Sequence, residues 1–227
     1  MVPRDRKQKE ARFGLRGGLV SWGSHICCLY ESPAQRDEIL LGFFAEGARN
    51  GDLLAYAAAD STWRDLPSLL AESEPKPAHL LRRDPRELSC VDGFPPSWIA
   101  PRPDKGPSQG ELIEEGRHVR SAVDMSWLAE SGVGAGALAA AEIDLDCAVR
   151  ERPWIALCFY DVGLFSNSNV VLILKTHPFV VGRGGLMPNS FYEGMLQLHG
   201  RFGKAARGGA ASLPAGEPHA DAWSFGA

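Results

Sequence analysis

The chain of 227 residues contains no apolar run approaching the roughly 18 to 20 residues that a membrane-spanning helix needs, so no membrane association is expected. Its first stretch, MVPRDRKQKEARFGLRGG, is basic but has no apolar segment, which argues against a secretory signal. Charge of one sign is also missing. With 24 basic and 28 acidic residues the net charge is -4, without the general electrostatic footprint of a nucleic-acid binder, and no direct DNA binding is expected. Cysteine is scarce and poorly spaced: five residues, an odd number, no C-x-x-C, a pattern that fits a reducing cytoplasm. Cys27 and Cys28 are neighbours in HICCLYESP, so on a strand they face opposite ways, and a disulfide between them would be strained. Cys90, Cys147 and Cys158 lie far apart. On spacing alone no metal site is expected, and the cysteines read as small buried hydrophobes.

The loops of nucleotide chemistry are absent as well. ATP hydrolysis by the usual phosphate loop needs G-x-x-x-x-G-K-[ST], whose amides and lysine hold the phosphates. After the first apolar run the chain reads YESPAQRDE, with neither glycine nor lysine. GVGAGA at 132–137 lacks the third glycine of a dinucleotide loop, and GRGG at 182–185 is weaker still. No G-x-S-x-G elbow marks a hydrolase nucleophile. No cofactor is therefore expected.

What is present is one domain's worth of alternating strand-like and helix-like segments. Residues 1–17, with Arg4, Arg6, Lys7, Lys9, Arg12 and Arg16, read as a basic flexible arm. Residues from 204 to 227, rich in Gly, Ala and Pro, read as a disordered tail, leaving 18–203 as the domain. HICCLYE suits a strand, and Ile39, Leu40, Phe43, Phe44 and Gly47 recur at helical spacing up to the NG at 50–51. DLLAYAAA is the next strand, followed by a short helix on Leu66, Leu69 and Leu70, and AHLLRR is a third strand. Residues 92–110 are proline-rich and read as a long surface loop. HVRSAVDMSW resumes the sheet, a helix aligns Leu138, Ala141, Leu145 and Ala148, and WIALCFYD and FVVGRGG supply two further strands. Helices between strands imply an α/β class: three layers, with a largely parallel sheet covered on both faces.

Such sheets bind ligands at the carboxyl ends of their strands. That directs attention to Tyr30, Trp127, Tyr160 and Asp161 as ligand-binding residues, joined by Glu142, which lies one position past the apolar stripe of its helix. A carboxylate there must reach solvent or find a partner. His25 begins its strand, on the order of 20 Å from the far end of about seven residues, and is expected to hold structure rather than touch ligand. His177, followed by Pro178, is likewise read as structural.

HICCLYES, EGARNGDLLAY, DMSWL, the helix containing Glu142, ALCFYD, a segment ending LKTHP, and FVVGRGGLMPNSFY follow one another across about residues 22–192. Together they resemble the MEDS family, the methanogen/methylotroph sensory domains. His25, Tyr30, Glu46, Gly47, Trp127, Glu142, Tyr160, Asp161, His177 and Pro178 are the positions that match. The resemblance implies a RecA/KaiC-like core without its phosphate loop, and a helix at 166–176 where the VVLIL composition alone favours a strand. It also implies a non-enzymatic regulatory domain that senses a small organic effector in signal transduction or transcriptional control. Relatives often carry a DNA-binding, histidine-kinase-like or anti-sigma module for which neither tail here has room. Output through a regulatory protein partner, of kinase, anti-sigma or transcription-factor type, is therefore expected. The competing readings are a degenerate nucleotide-binding protein without hydrolysis and a hydrolase using His25, Glu142 or Asp161.

Overall fold

Strand-forming and helix-forming segments alternate along much of the chain, and where a helix separates two strands, as between residues 30 and 53, 124 and 154, and 161 and 179, the crossover lets them run parallel. A computed structural model describes residues 10–15, 18–58, 80–83, 117–130, 134–150, 152–182 and 184–194, with positions 68 and 132. The elements are β1 (Glu10–Arg12), β2 (Leu19–Ser21), β3 (His25–Tyr30), α1 (Pro33–Asn50), β4 (Leu53–Ala57), β5 (Leu80–Arg83) and β6 (Val119–Asp124). They continue as α2 (Ser126–Glu130), α3 (Ala135–Val149), β7 (Trp154–Asp161), α4 (Asn167–Thr176), β8 (Phe179–Gly182) and β9 (Gly185–Pro188). Most of the expected helix around Leu66–Leu70, the proline-rich stretch 92–110 and the tail from 204 lie outside the described residues.

The main sheet has the order β5-β4-β6-β7-β3-β8-β9. Six strands run parallel, and β9 closes the edge as an antiparallel hairpin partner of β8. One face packs against α1 through Ile39, Leu40, Phe43 and Phe44. The other packs against α2, α3 and α4 through Leu128, Leu138, Ala139, Ala148, Leu172 and Ile173. This is the three-layer α/β architecture expected from the alternation. The central strands are buried on both faces, which is why they read as continuous apolar runs rather than alternating ones.

Local signals set the helix ends. The Ser32 side chain accepts a hydrogen bond from the Gln35 amide, and Pro33 occupies the first turn of α1, where its missing N–H costs nothing. Gly51, at φ +72°, ends the helix in the left-handed conformation, with its amide on the Ala48 carbonyl. The segment NVVLILKT is helical, as the family resemblance implied. Ser166 caps it through the Asn169 amide, and burial of Leu172 and Ile173 outweighs the β-branched composition.

Two expectations need correction. Residues 10–15 are not a solvated arm: β1 pairs with β2, and Phe13 is wholly buried against Phe43, so the folded unit includes Glu10. A single large ring supplies that burial in an otherwise charged stretch. The strand read through Trp127 ends instead at Asp124, whose carboxylate accepts the Ser126 amide and starts α2. Trp127 is therefore a helical residue.

Candidate functional site

The α2–α4 face of the sheet contains a polar cluster in otherwise apolar core. On β3, residues 25, 27 and 29 face this layer, and on β7 residues 156, 158 and 160 do so, because side chains alternate along a strand. The helix α3, which connects β6 to β7 in the chain, packs back over β3 and β7, and its midpoint, Glu142, lies above these strands. Thr176 ends α4, and His177 follows as its C-cap, turning inward. His25, Glu142, Cys158, Tyr160 and His177 are all completely buried there.

Glu142 is the centre. Its Oε1 accepts a short hydrogen bond from the Tyr160 hydroxyl. Its Oε2 lies 3.2 Å from His25 Nε2 and 3.2 Å from His177 Nε2. His25 Nε2 is also 3.3 Å from Cys158 Sγ, and the two imidazole rings stand 4.0 Å apart. His177 Nδ1 is anchored 2.8 Å from the Ile173 carbonyl oxygen, which Thr176 Oγ1 also approaches. His25 Nδ1 faces Asp146 Oδ1 at 3.9 Å, and Arg150 holds the other Asp146 oxygen at 2.6 Å.

The electrostatics follow from burial and from these partners. Burial by itself raises the Glu142 carboxyl, but the imidazoles of His177 and His25 overrule it and hold the group well below the usual carboxylate range. Burial, and then the neighbouring His177, lower His25. Burial and the Glu142 charge push the Cys158 thiol and the Tyr160 phenol well above their ordinary values. Burial thus disfavours the charged forms of His25, Cys158 and Tyr160 around a carboxyl that is itself held low. The ligating atoms of His25, Glu142, Cys158 and His177 all lie within 4.8 Å of one another, a set able to hold a metal ion.

A second feature lies at the amino ends of β4 and β6. Asp52 and His118 directly precede β4 and β6, and with Glu10, Arg12, Trp22, Glu46 and Arg49 they line an open cleft of about 670 Å3. The Trp22 and His118 rings stack at 4.3 Å. Beneath the cleft, fully buried Arg120 pairs with Asp52 at 2.7 Å and donates to the Arg12 carbonyl at 2.8 Å.

The residues singled out from sequence are distributed rather than gathered. Tyr160 and Glu142 meet, and His25, placed by strand length about 20 Å from the ligand residues, is instead in contact with Glu142. The strand-length argument assumed that Glu142 sat at the sheet's carboxyl edge, whereas α3 carries it back over the middle. Tyr30 belongs to the α1 face, its hydroxyl 3.4 Å from Ser126 Oγ, so it shares no hollow with Tyr160. Trp127 packs on the α3 side from α2. Asp161 makes a turn, accepting the Gly163 amide at 2.9 Å. Pro178 links α4 to β8, with its carbonyl accepting the Asn189 amide. Glu46 pairs with Arg49 at the cleft rim, and Gly47 packs against the sheet. Sequence spacing did not connect Cys158 with the two histidines, because the four groups come from separate elements. It did not single out Arg120 or Asp52 either, although an Arg inside an apolar strand was a signal.

Residues 24–178 match the family model described as MEDS, MEthanogen/methylotroph, DcmR Sensory domain. The transcriptional repressor DcmR of Methylorubrum extorquens is 24% identical over 184 residues, 76% of this chain and 65% of the relative. The chain thus spans just under two thirds of that relative's length. A solved structure from Pyrococcus horikoshii OT3 is similar at a TM-score of 0.46 and 10% identity, over 74% of this chain and 87% of its own. The structure of EssC (ATPases 2 and 3) from Geobacillus thermodenitrificans is similar at 0.40 and 10%, over 76% and 36%.

Proposed function

The chain belongs to the MEDS family of sensory domains, and from that premise we propose that it is a non-enzymatic module that binds a small organic effector and passes the signal to a regulatory protein partner. The observation that carries this reading is the family match itself, which spans β3 through α4 and so includes five of the seven strands of the main sheet and the helices that cover it. The cleft beside Trp22 supports an effector of mixed character. Its size falls within the range of about 300 to 1,000 Å3 for small-molecule sites, with a stacked ring pair beside charged groups of both signs.

The non-enzymatic part of the reading is supported by the turn after β3. Only Glu31 and Ser32 separate the strand from α1, and the Ser32 hydroxyl is engaged as a helix cap, which leaves no backbone cradle for phosphates. Purified protein is expected to release no phosphate from ATP above background. Exposed Met187 and Phe191 beside the β9 edge offer apolar surface for a partner.

A thermal-melt screen with short-chain alcohols, amines, acids and halogenated compounds tests the effector assignment. A bound compound at 100 times its Kd adds about 2.7 kcal/mol of stability. Trp22→Ala is expected to abolish the shift while the far-UV circular dichroism stays native. A shift that survives Trp22→Ala and His118→Ala unchanged removes the cleft from the reading. Phosphate release from ATP that Asp161→Asn abolishes removes the non-enzymatic part.

A further inference from the structure

We propose that His25, Glu142, Cys158 and His177 form a closed four-coordinate site for a divalent transition metal of the zinc class. The site goes beyond the effector reading and does not depend on it.

The first argument is a conflict of lone pairs. A carbonyl oxygen only accepts, so the 2.8 Å contact to Ile173 puts the ring proton of His177 on Nδ1. In the neutral ring, Nε2 then carries a lone pair, and it faces the carboxylate oxygen Glu142 Oε2 at 3.2 Å. His25 Nε2 approaches the same oxygen at the same distance. Glu142 Oε2 and His177 Nε2 are buried without a hydrogen-bond partner among the described residues. The Glu142 carboxylate and the His177 lone pair thus converge on one fully buried point beside His25 and Cys158, and a cation there satisfies both.

The second argument is size. Bonds of about 2.0–2.2 Å to nitrogen or oxygen and about 2.3 Å to sulfur make the edges of a tetrahedron roughly 3.3–3.7 Å long. The observed separations of 3.2, 3.2 and 3.3 Å lie at or just below the short end of that range, and the remaining pairs lie within 4.8 Å, so seating an ion takes side-chain adjustments of up to about an ångström. Charge closes as well. A divalent ion with one carboxylate, one thiolate and two neutral imidazoles has no net charge, the condition under which a fully buried ion is tolerated.

The surroundings fit this role. The Ile173 carbonyl orients His177, the Tyr160 hydroxyl holds the other Glu142 oxygen, and Asp146 stands behind His25, as outer partners of metal ligands do. Mixed nitrogen, sulfur and oxygen donors in a tetrahedral set suit zinc. Four protein ligands and complete burial leave no open position for substrate, so the ion would clamp β3, β7, α3 and the end of α4 together. The competing occupant is a proton shared between an imidazole and Glu142.

The test uses tag-free full chain, stripped with chelator, then loaded with Zn2+ or Co2+ and desalted. The expected result is close to one equivalent of metal by elemental analysis, a melting temperature that rises on loading, and a cobalt form with thiolate charge-transfer and tetrahedral visible bands. Cys158→Ser is expected to lose the charge-transfer band and His177→Gln to lose the metal. Cys27→Ala, on the same strand face as His25, is expected to retain it. A natively folded chain that keeps less than about a tenth of an equivalent overturns the proposal in favour of the proton, without recourse to any variant. An unchanged cobalt spectrum in Cys158→Ser overturns it too. The effector screen is read on the same protein with and without metal, so either reading can fail alone.

Discussion

Gly47 on α1 and Arg120 on β6 pack without a side chain between them: a methyl group at Gly47 would fall 2.7 Å from Arg120 Cδ and 2.6 Å from Leu54 Cδ2. The close approach lets a fully buried guanidinium lie under a helix and reach Asp52 and the backbone of β1. Gly47→Ala gains helix propensity of about 1 kcal/mol, but overpacking in a dense core costs roughly 1–3 kcal/mol. A net loss is expected, read as a lower urea midpoint at unchanged slope. An equal or higher midpoint would show that Arg120 swings aside freely.

The Asp52–Arg120 pair is wholly internal, so removing one partner should hurt more than removing both. Asp52→Ala is expected to cost about 3–5 kcal/mol by leaving Arg120 charged and unpaired. The double variant Asp52→Leu with Arg120→Met should recover much of that loss. A double-mutant cycle without coupling contradicts this account.

Tyr160→Phe removes the hydroxyl that satisfies Glu142 Oε1 and alters little else in the core. A hydrogen bond to a charged acceptor contributes about 1.5–3 kcal/mol, and a loss of that order is expected in chemical denaturation. A loss near zero would mean that the carboxylate turns to another donor.

Alkaline pH should unfold the protein, and the sign follows from the thiols and phenols. Burial pushes Cys28 up to about 12 from 9.0, and burial with the Asp124 charge pushes Tyr30 up to about 12 from 10.0. The fold therefore favours their neutral forms. That stability is complete below the unfolded values and drains away as pH climbs from about 9 towards 12. Cys27, Cys158 and Tyr160, raised chiefly by burial, act in the same direction. Cys28→Ala is expected to lower stability at neutral pH through a cavity while flattening the decline above pH 9. An identical slope in the variant would remove Cys28 from the linkage.

Much of the fold was legible because burial on two faces leaves a strong local trace. WIALCFYD and HICCLY could scarcely be anything but central strands, and the NG dipeptide marked the end of α1. The segment VVLIL was not legible from composition. Its β-branched residues yield to a Ser166 cap and to the crossover that parallel β7 and β8 require. Phe13 was hidden in a basic stretch, since one buried ring outweighs charged neighbours such as Glu10 and Arg12, which stay exposed.

The candidate site divides along the same line. By itself the sequence determined the class of the fold, the absence of a phosphate loop after β3, and a carboxylate, Glu142, placed where it needed a partner. Only the tertiary structure decided that the partners are His25, His177 and Tyr160, with Cys158 beside them. It also decided that Tyr30 and Tyr160 look to opposite faces. Spacing and period are properties of one element at a time. Convergence depends on the order of strands across the sheet and on the path of each helix over it, and no single element carries that information.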